Sequence, residues 1–211
     1  MTKKPSLTGR VSTVISTLLN VTERDILPLL RKGVSEGNGP FAAAIFKKSD
    51  LSTVVVSCNK WRESPLLHGE TNCIREFFVL PEPSRPAVAD TLFFATHEPC
   101  PLCLSAVSWT RFDTVYFLFT HEETRDLLGV GGDIEILEEV FRVRAPCDTD
   151  ETLASRARYN KTNKFFTAKS VAELMEEVED LDEKEALRSE AERVKKLFHE
   201  FRDASRSYSE I

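Results

Sequence analysis

Two short motifs constrain this chain more than any other feature: His68-Gly69-Glu70 and Pro99-Cys100-Pro101-Leu102-Cys103. One imidazole and two thiols hold a tetrahedral zinc ion while leaving its fourth position open. To serve one ion, groups far apart in the sequence must meet, so the fold has to bring two segment starts together. Pro99 and Pro101 precede a stretch running from Leu102 to Trp109 that reads as a helix entered through proline in its first turn. His68 to Leu80 reads as a second helix, so both motifs open helices. A helix N-terminus favours negative charge and lowers thiol pKa values before a metal arrives. Two thiolates and one neutral imidazole leave Zn²⁺ formally neutral and still able to bring the pKa of a water toward neutrality. Glu70, two residues after His68, is placed to take that water's proton without entering the coordination sphere.

Neither motif carries this alone. A lone C-x-x-C fits a redox pair or half of a structural zinc site, and a lone H-x-E means little. A structural site would need a fourth ligand at matching spacing, and Cys58, Cys73, Cys147, His97 and His121 form no second paired motif. His97 ends an expected strand, where it shapes a pocket rim or hydrogen-bonds locally. The two motifs together point to a hydrolytic zinc centre, ahead of a structural zinc or a thiol redox pair.

The remainder of the chain is consistent with one compact enzyme carrying appendages. Its 211 residues, 41% hydrophobic, suffice for a sizeable core. Five Cys, two of them assigned to metal, argue against a disulfide framework and for a reducing, cytoplasmic setting. No apolar run is long enough to span a membrane. Met1 to Asn20 lacks acidic residues, as transit peptides do. However, Val11, Val14, Ile15, Leu18 and Leu19 recur at helical spacing and read as the buried stripe of a first helix over about residues 7–32. Residues 171–211 hold 13 acidic and 7 basic side chains, which accounts for the whole net charge of −6. The nearest approach to a basic face is Arg142, Arg144, Arg156, Arg158, Lys161, Lys164 and Lys169. Such a cluster is either a nucleic-acid footprint or a solvated surface.

The elements alternate. Phe41 to Phe46 and Thr53 to Cys58 read as strands, as do Thr91 to Thr96 and Thr114 to Phe119, with the two motif helices between them. Strands separated by helices imply parallel pairing and a three-layer α/β/α sandwich. Glu122 to Leu128 reads as a short helix and Gly129 to Asp133 as a turn or pocket lip. Ile134 to Val143 fits helix or strand. Apolar spacing from Leu174 to Phe201 predicts one or two amphipathic helices over 171–205, packed on the domain or forming a self-association seam. The expected division is a catalytic domain over 1–170 and an acidic helical extension over 171–211.

From about Gly39 to Thr120 the chain resembles the zinc-dependent cytidine and deoxycytidylate deaminase superfamily, most closely its guanine deaminase and tRNA adenosine deaminase branch. The resemblance rests on the two motifs, on Gly39-Pro40-Phe41-Ala42-Ala43-Ala44, on Asn59, and on Ala106-Val107-Ser108-Trp109. It implies a cytidine deaminase-like α/β fold with a mixed sheet of about five strands. It also implies a Zn²⁺ cofactor on His68, Cys100 and Cys103, and catalysis by Glu70. Phe41 and Trp109 would border a base and Asn59 would read its edge, although Phe41 and Trp109 also fit a core and Asn59 a turn. The implied substrate is a small-molecule nucleobase or nucleoside, a guanine-type purine first, with a homodimer as the assembly. Adenosine in tRNA, cytosine or cytidine, and an inactive scaffold subunit of an editing complex are the alternatives. Gly69 stands where the purine deaminases usually carry Ala, and H-G-E also occurs in fungal cytosine deaminases. Tyr159-Asn160-Lys161 resembles the tail that closes over the substrate in the guanine branch.

Overall fold

The structure, a computed structural model, describes residues 11–203. The stripe foreseen in the first helix is buried in α1 (Val11–Val21), where Val14, Ile15, Leu18 and Leu19 are almost wholly covered. The helix continues to Ser35 through a π-helical turn over Thr22–Ile26 and then α2 (Leu27–Ser35). Pro28 explains the widened turn. It has no N–H to give to the carbonyl four residues earlier, and its ring crowds that carbonyl. Residues 7–10 of the expected helix lie outside the described residues.

Five strands form one sheet in the order β2-β1-β3-β4-β5: β1 (Ala42–Lys47), β2 (Thr53–Cys58), β3 (Thr91–His97), β4 (Thr114–Phe119) and β5 (Thr167–Ser170). β1 runs antiparallel to both β2 and β3, whereas β3, β4 and β5 are parallel. The expectation of parallel pairing for helix-separated strands holds for β3 and β4 but needs correction for β2 and β3. α3 (Gly69–Val79) does join two strands of the same direction, but β1 lies between them. Spacing along a chain reports the direction of a crossover and not which strand it passes over.

Side chains alternate across the sheet, as the period of a strand requires. Ala43, Ile45, Phe93, Ala95, Val115 and Phe117 face α3 and α4 (Pro101–Thr110), meeting Cys73, Phe77, Leu104 and Val107. Ala42, Ala44, Phe46, Leu92, Phe94 and Leu118 face α1 and α2, together with α8 (Val171–Met175) and α9 (Leu181–Leu197). Leu187, Ala191, Val194, Phe198 and Phe201 of the C-terminal helical segment belong to the same core as α1. Ile134 to Val143 is helical: α6 (Gly132–Ile136) runs into a π-helical turn over Leu137–Phe141. Before it, α5 (His121–Leu128) starts at a Thr120–Glu123 capping box and stops at Gly129, whose φ of 72° suits glycine. α7 (Asp150–Ser155) sits in the long connection to β5.

Candidate metal centre

His68 and Cys100 occupy equivalent places, each the extended N-cap residue of its helix, α3 and α4. Both helices lie on one face of the sheet, so their N-termini converge. His68 Nδ1 lies 3.5 Å from Cys100 Sγ and 3.7 Å from Cys103 Sγ. The three ligand atoms all fall within 4.8 Å of one another. A tetrahedral zinc with Zn–S of about 2.3 Å and Zn–N of about 2.0 Å spaces its sulfur and nitrogen ligands about 3.5 Å apart. The observed separations fit that ion.

The electrostatics suit a cation. Cys100 is drawn down to about 4 by its hydrogen bond with Cys103 and by the neighbouring His68, against the opposing effect of burial. Its thiolate form is therefore present at neutral pH. Cys103 is pushed well up, by burial first and then by Cys100. One negative charge alone is tolerated there, and a second sulfur ionises when a metal compensates it. Glu70 is 7% exposed, and burial, reinforced by Cys100, pushes its carboxyl up to about 7. A carboxyl near that value can both take and return a proton around neutrality.

Gly69, between His68 and Glu70, marks the closest approach of helix to sheet. An added Cβ would stand 2.8 Å from Cα and N of Ala42 and 2.9 Å from the carbonyl carbon of Phe41. Only glycine lets α3 start this close to β1, and this puts Phe41 beside the His68–Glu70 pair. Asn59 is buried, and its N–H donates to the Phe41 carbonyl at 2.7 Å. Its side-chain oxygen accepts from the N–H groups of Gly39 at 3.1 Å and Trp61 at 2.9 Å, so that oxygen holds the loop.

Trp109 lies elsewhere. It is 87% exposed at the end of α4 and shares a surface hollow with Phe165 and Lys164, neither in the core nor beside the three ligands. The helix explains the difference: Cys103 points inward from the first turn, whereas Trp109, six residues on, falls on the outer face. His97 is not at a rim but buried, with Nδ1 2.9 Å from Thr96 Oγ1. Six of the seven side chains of the basic cluster are ion-paired, and Lys164 lies over the Phe165 ring, 4.9 Å from its centre. Arg142 pairs with Glu138, Arg144 with Asp150, Arg156 with Asp148, Arg158 with Glu122 and Glu138, Lys161 with Glu98 and Glu173, and Lys169 with Glu177. It is an ion-paired surface rather than a bare cationic face.

The sequence reading missed Asp133 and gave no role to Glu98, which directly precedes the second motif. Asp133, within the stretch read as a pocket lip, comes close enough to the centre to feel Cys100 and His68. Burial and the Cys100 charge lift its carboxyl to about 7 despite His68. Its only sequence signal is an acid in the first turn of a helix after a glycine cluster. The buried Glu98 anchors the surroundings, accepting from Tyr159 Oη at 2.6 Å and from the His121 N–H at 3.1 Å. Glu98 and Tyr159 help line a cavity of about 690 Å³ with Thr120, His121, Arg158 and Lys161.

Residues 24–119 match the family model described as the cytidine and deoxycytidylate deaminase zinc-binding region. The chain is 27% identical to guanine deaminase of Bacillus subtilis (strain 168) over 96 residues, 45% of this chain and 60% of that protein. The match therefore spans less than two thirds of the curated relative. A crystal structure of guanine deaminase from Bacillus subtilis aligns at 27% identity, covering 58% of this chain and 75% of that one, with a TM-score of 0.44. Guanine deaminase from Nitrosomonas europaea aligns at 17% identity over 79% of this chain and 81% of its own, with a TM-score of 0.44. A tRNA:A34 deaminase aligns at 23% identity over 44% of this chain and 71% of its own, with a TM-score of 0.38.

Proposed function

We propose that this chain, whose residues 24–119 belong to the cytidine and deoxycytidylate deaminase zinc-binding family, hydrolyses the exocyclic amino group of a nucleobase or nucleoside, with a guanine-type purine as first substrate. The observation that carries this is the three-ligand cluster with one buried carboxyl beside it and no fourth protein ligand among the described residues. A structural zinc would be closed by four protein ligands.

His68, Cys100 and Cys103 would hold the zinc, which when bound supplies the Lewis acidity that makes water a nucleophile at neutral pH. Glu70 would take one proton from the attacking water and give it to the adjacent ring nitrogen, then take the second from the newly formed hydroxyl and give it to the leaving amine. The balance is one water consumed, one exocyclic C–N bond broken, one C–O bond formed and one ammonia released. Phe41 offers a face for the ring. Asn59, whose side-chain oxygen holds the loop, would border the purine edge. Asp133 supplies a second carboxyl that can accept from ring N–H or amino groups.

The guanine-type preference is supported by the sequence similarity to guanine deaminase of Bacillus subtilis. Ion pairing of six of its seven members weakens the support that a tRNA substrate drew from the basic cluster. A cytoplasmic homodimer remains part of this reading, with the exposed α4 face around Trp109 as a surface for the second copy. Ammonia release from guanine, guanosine, adenosine, cytosine, cytidine and an adenosine-bearing tRNA tests the substrate. Turnover of guanine above the others is the expected result, and exclusive turnover of tRNA or cytosine overturns the preference.

A further inference from the structure

We infer that His97 is a positioning residue for Phe41, and that the C-terminal helix acts on the candidate site through it. This rests on the reading of Phe41 as a wall of the base pocket. The His97 ring is stacked on Phe119 (centroids 4.9 Å apart, 14° between planes) and meets Phe41 edge-on at 4.8 Å and 68°. Phe198, in the 3-10 turn that ends α9, is edge-on to His97 at 5.7 Å and to Phe119 at 5.1 Å. Lys195 of α9 places its ammonium 5.2 Å from the centre of the Phe119 ring and pairs with Glu123, a member of the capping box of α5. An unbroken series of aromatic edges therefore runs from the C-terminal helix through His97 to the residue beside the metal ligands.

A phenylalanine at position 97 would fill the same space without burying polar nitrogens, so packing alone does not account for a histidine. Its Nε2 is buried with no hydrogen-bond partner among the described residues, which is a cost to folding. Its Nδ1 is held by Thr96 Oγ1 at 2.9 Å. The same hydroxyl accepts from the Ala42 N–H and reaches the Ala42 carbonyl, both at 3.1 Å, and so clamps the backbone next to Phe41. The hydrogen bond fixes the rotation of the His97 ring, which a phenyl at this position would leave free. Edge-to-face contacts depend on ring orientation, so fixing His97 fixes Phe41. In this arrangement the C-terminal helical segment is a support for the pocket wall and not an appendage.

The test replaces Phe41 with 4-fluorophenylalanine and reads its ¹⁹F resonance in the zinc-loaded full chain, in wild type, His97→Phe, His97→Ala and Phe198→Ala. The expected result is one narrow line in wild type, and broadened or multiple lines in His97→Ala and Phe198→Ala, with His97→Phe between. On a confirmed substrate, His97→Ala and Phe198→Ala raise KM about three- to tenfold, the scale of one lost aromatic edge contact. kcat and zinc content hold, and the double variant adds little to either single one. Unchanged ¹⁹F lines in Phe198→Ala and His97→Phe overturn the inference, even if His97→Ala fails to fold. Because the resonance needs no turnover, a failure of the functional reading leaves this result readable.

Discussion

Gly69→Ala adds a single methyl group at the tightest point of the site. The new Cβ would stand 2.8 Å from two backbone atoms of Ala42 and 2.9 Å from the Phe41 carbonyl carbon. Those atoms belong to or adjoin a strand paired on both sides, so no rotamer change relieves the clash and α3 must move away from β1. Overpacking of this kind costs about 1–3 kcal/mol. Against it stands the preference of helices for Ala over Gly, at most about 1 kcal/mol and less in the first turn, where the N–H groups have no partner within the helix. The two terms leave a net loss of about 0–3 kcal/mol, and a Cβ closer than 3 Å to three backbone atoms that cannot rotate aside puts it in the upper part of that range, about 1–3 kcal/mol. For a chain of this length each kcal/mol moves Tm by about 2–4 °C, so the expected fall is about 2–12 °C. The same displacement carries His68 and Glu70, which flank Gly69, and zinc affinity falls with Tm. Calorimetry and a chelator competition measure both. A variant that melts at the wild-type temperature and holds zinc equally well refutes the close approach.

Cys103→Ala removes a fully buried ligand and is expected to reduce bound zinc from one per chain to near zero, as read by metal analysis of the purified protein; retention of zinc contradicts the ligand set. Trp109→Ala is expected to change stability by less than about 0.5 kcal/mol, since the ring is exposed. A melting-point loss of many degrees in dilute solution would show the ring covered there by another surface. Tyr159→Phe removes the 2.6 Å hydrogen bond to the buried Glu98 carboxylate. Bonds to charged groups are worth about 1.5–3 kcal/mol, so Tm drops by about 3–12 °C by calorimetry, and no drop would show that this bond does not hold the segment.

What the sequence disclosed was local. Ligand residues and their helices are written in contiguous motifs, and strands such as Thr91–His97 and Thr114–Phe119 are apolar runs between breakers. The buried stripe of α1 shows the helical period directly. What stayed hidden depends on contacts distant in sequence. β5 is four residues long with the alternation of many loops, and only its pairing with β4 makes it a strand. The place of β1 between β2 and β3 follows from a crossover that no local pattern records. Asp133 feels Cys100 and His68 across a long stretch of sequence, and an isolated Asp after glycines looks like any turn. Trp109 sits in a motif-bearing helix, yet its outward face is decided by where the inner face packs. The basic cluster looked cationic because its carboxylate partners, such as Glu98, Glu122 and Glu177, lie in other segments.

The central claim is that Glu70 carries protons in a hydrolytic zinc centre, and Glu70→Gln tests it most directly. The amide keeps the size of the side chain, removes no metal ligand and cannot cycle a proton. With both proteins at one zinc per chain, the rate of ammonia release from the substrate identified in the panel is measured for each. General acid–base catalysis by a placed carboxylate is worth about 10²–10⁴ in rate, so the variant is expected to bind zinc, fold normally and turn over slower by at least that range. Turnover by Glu70→Gln at the wild-type rate contradicts the mechanism.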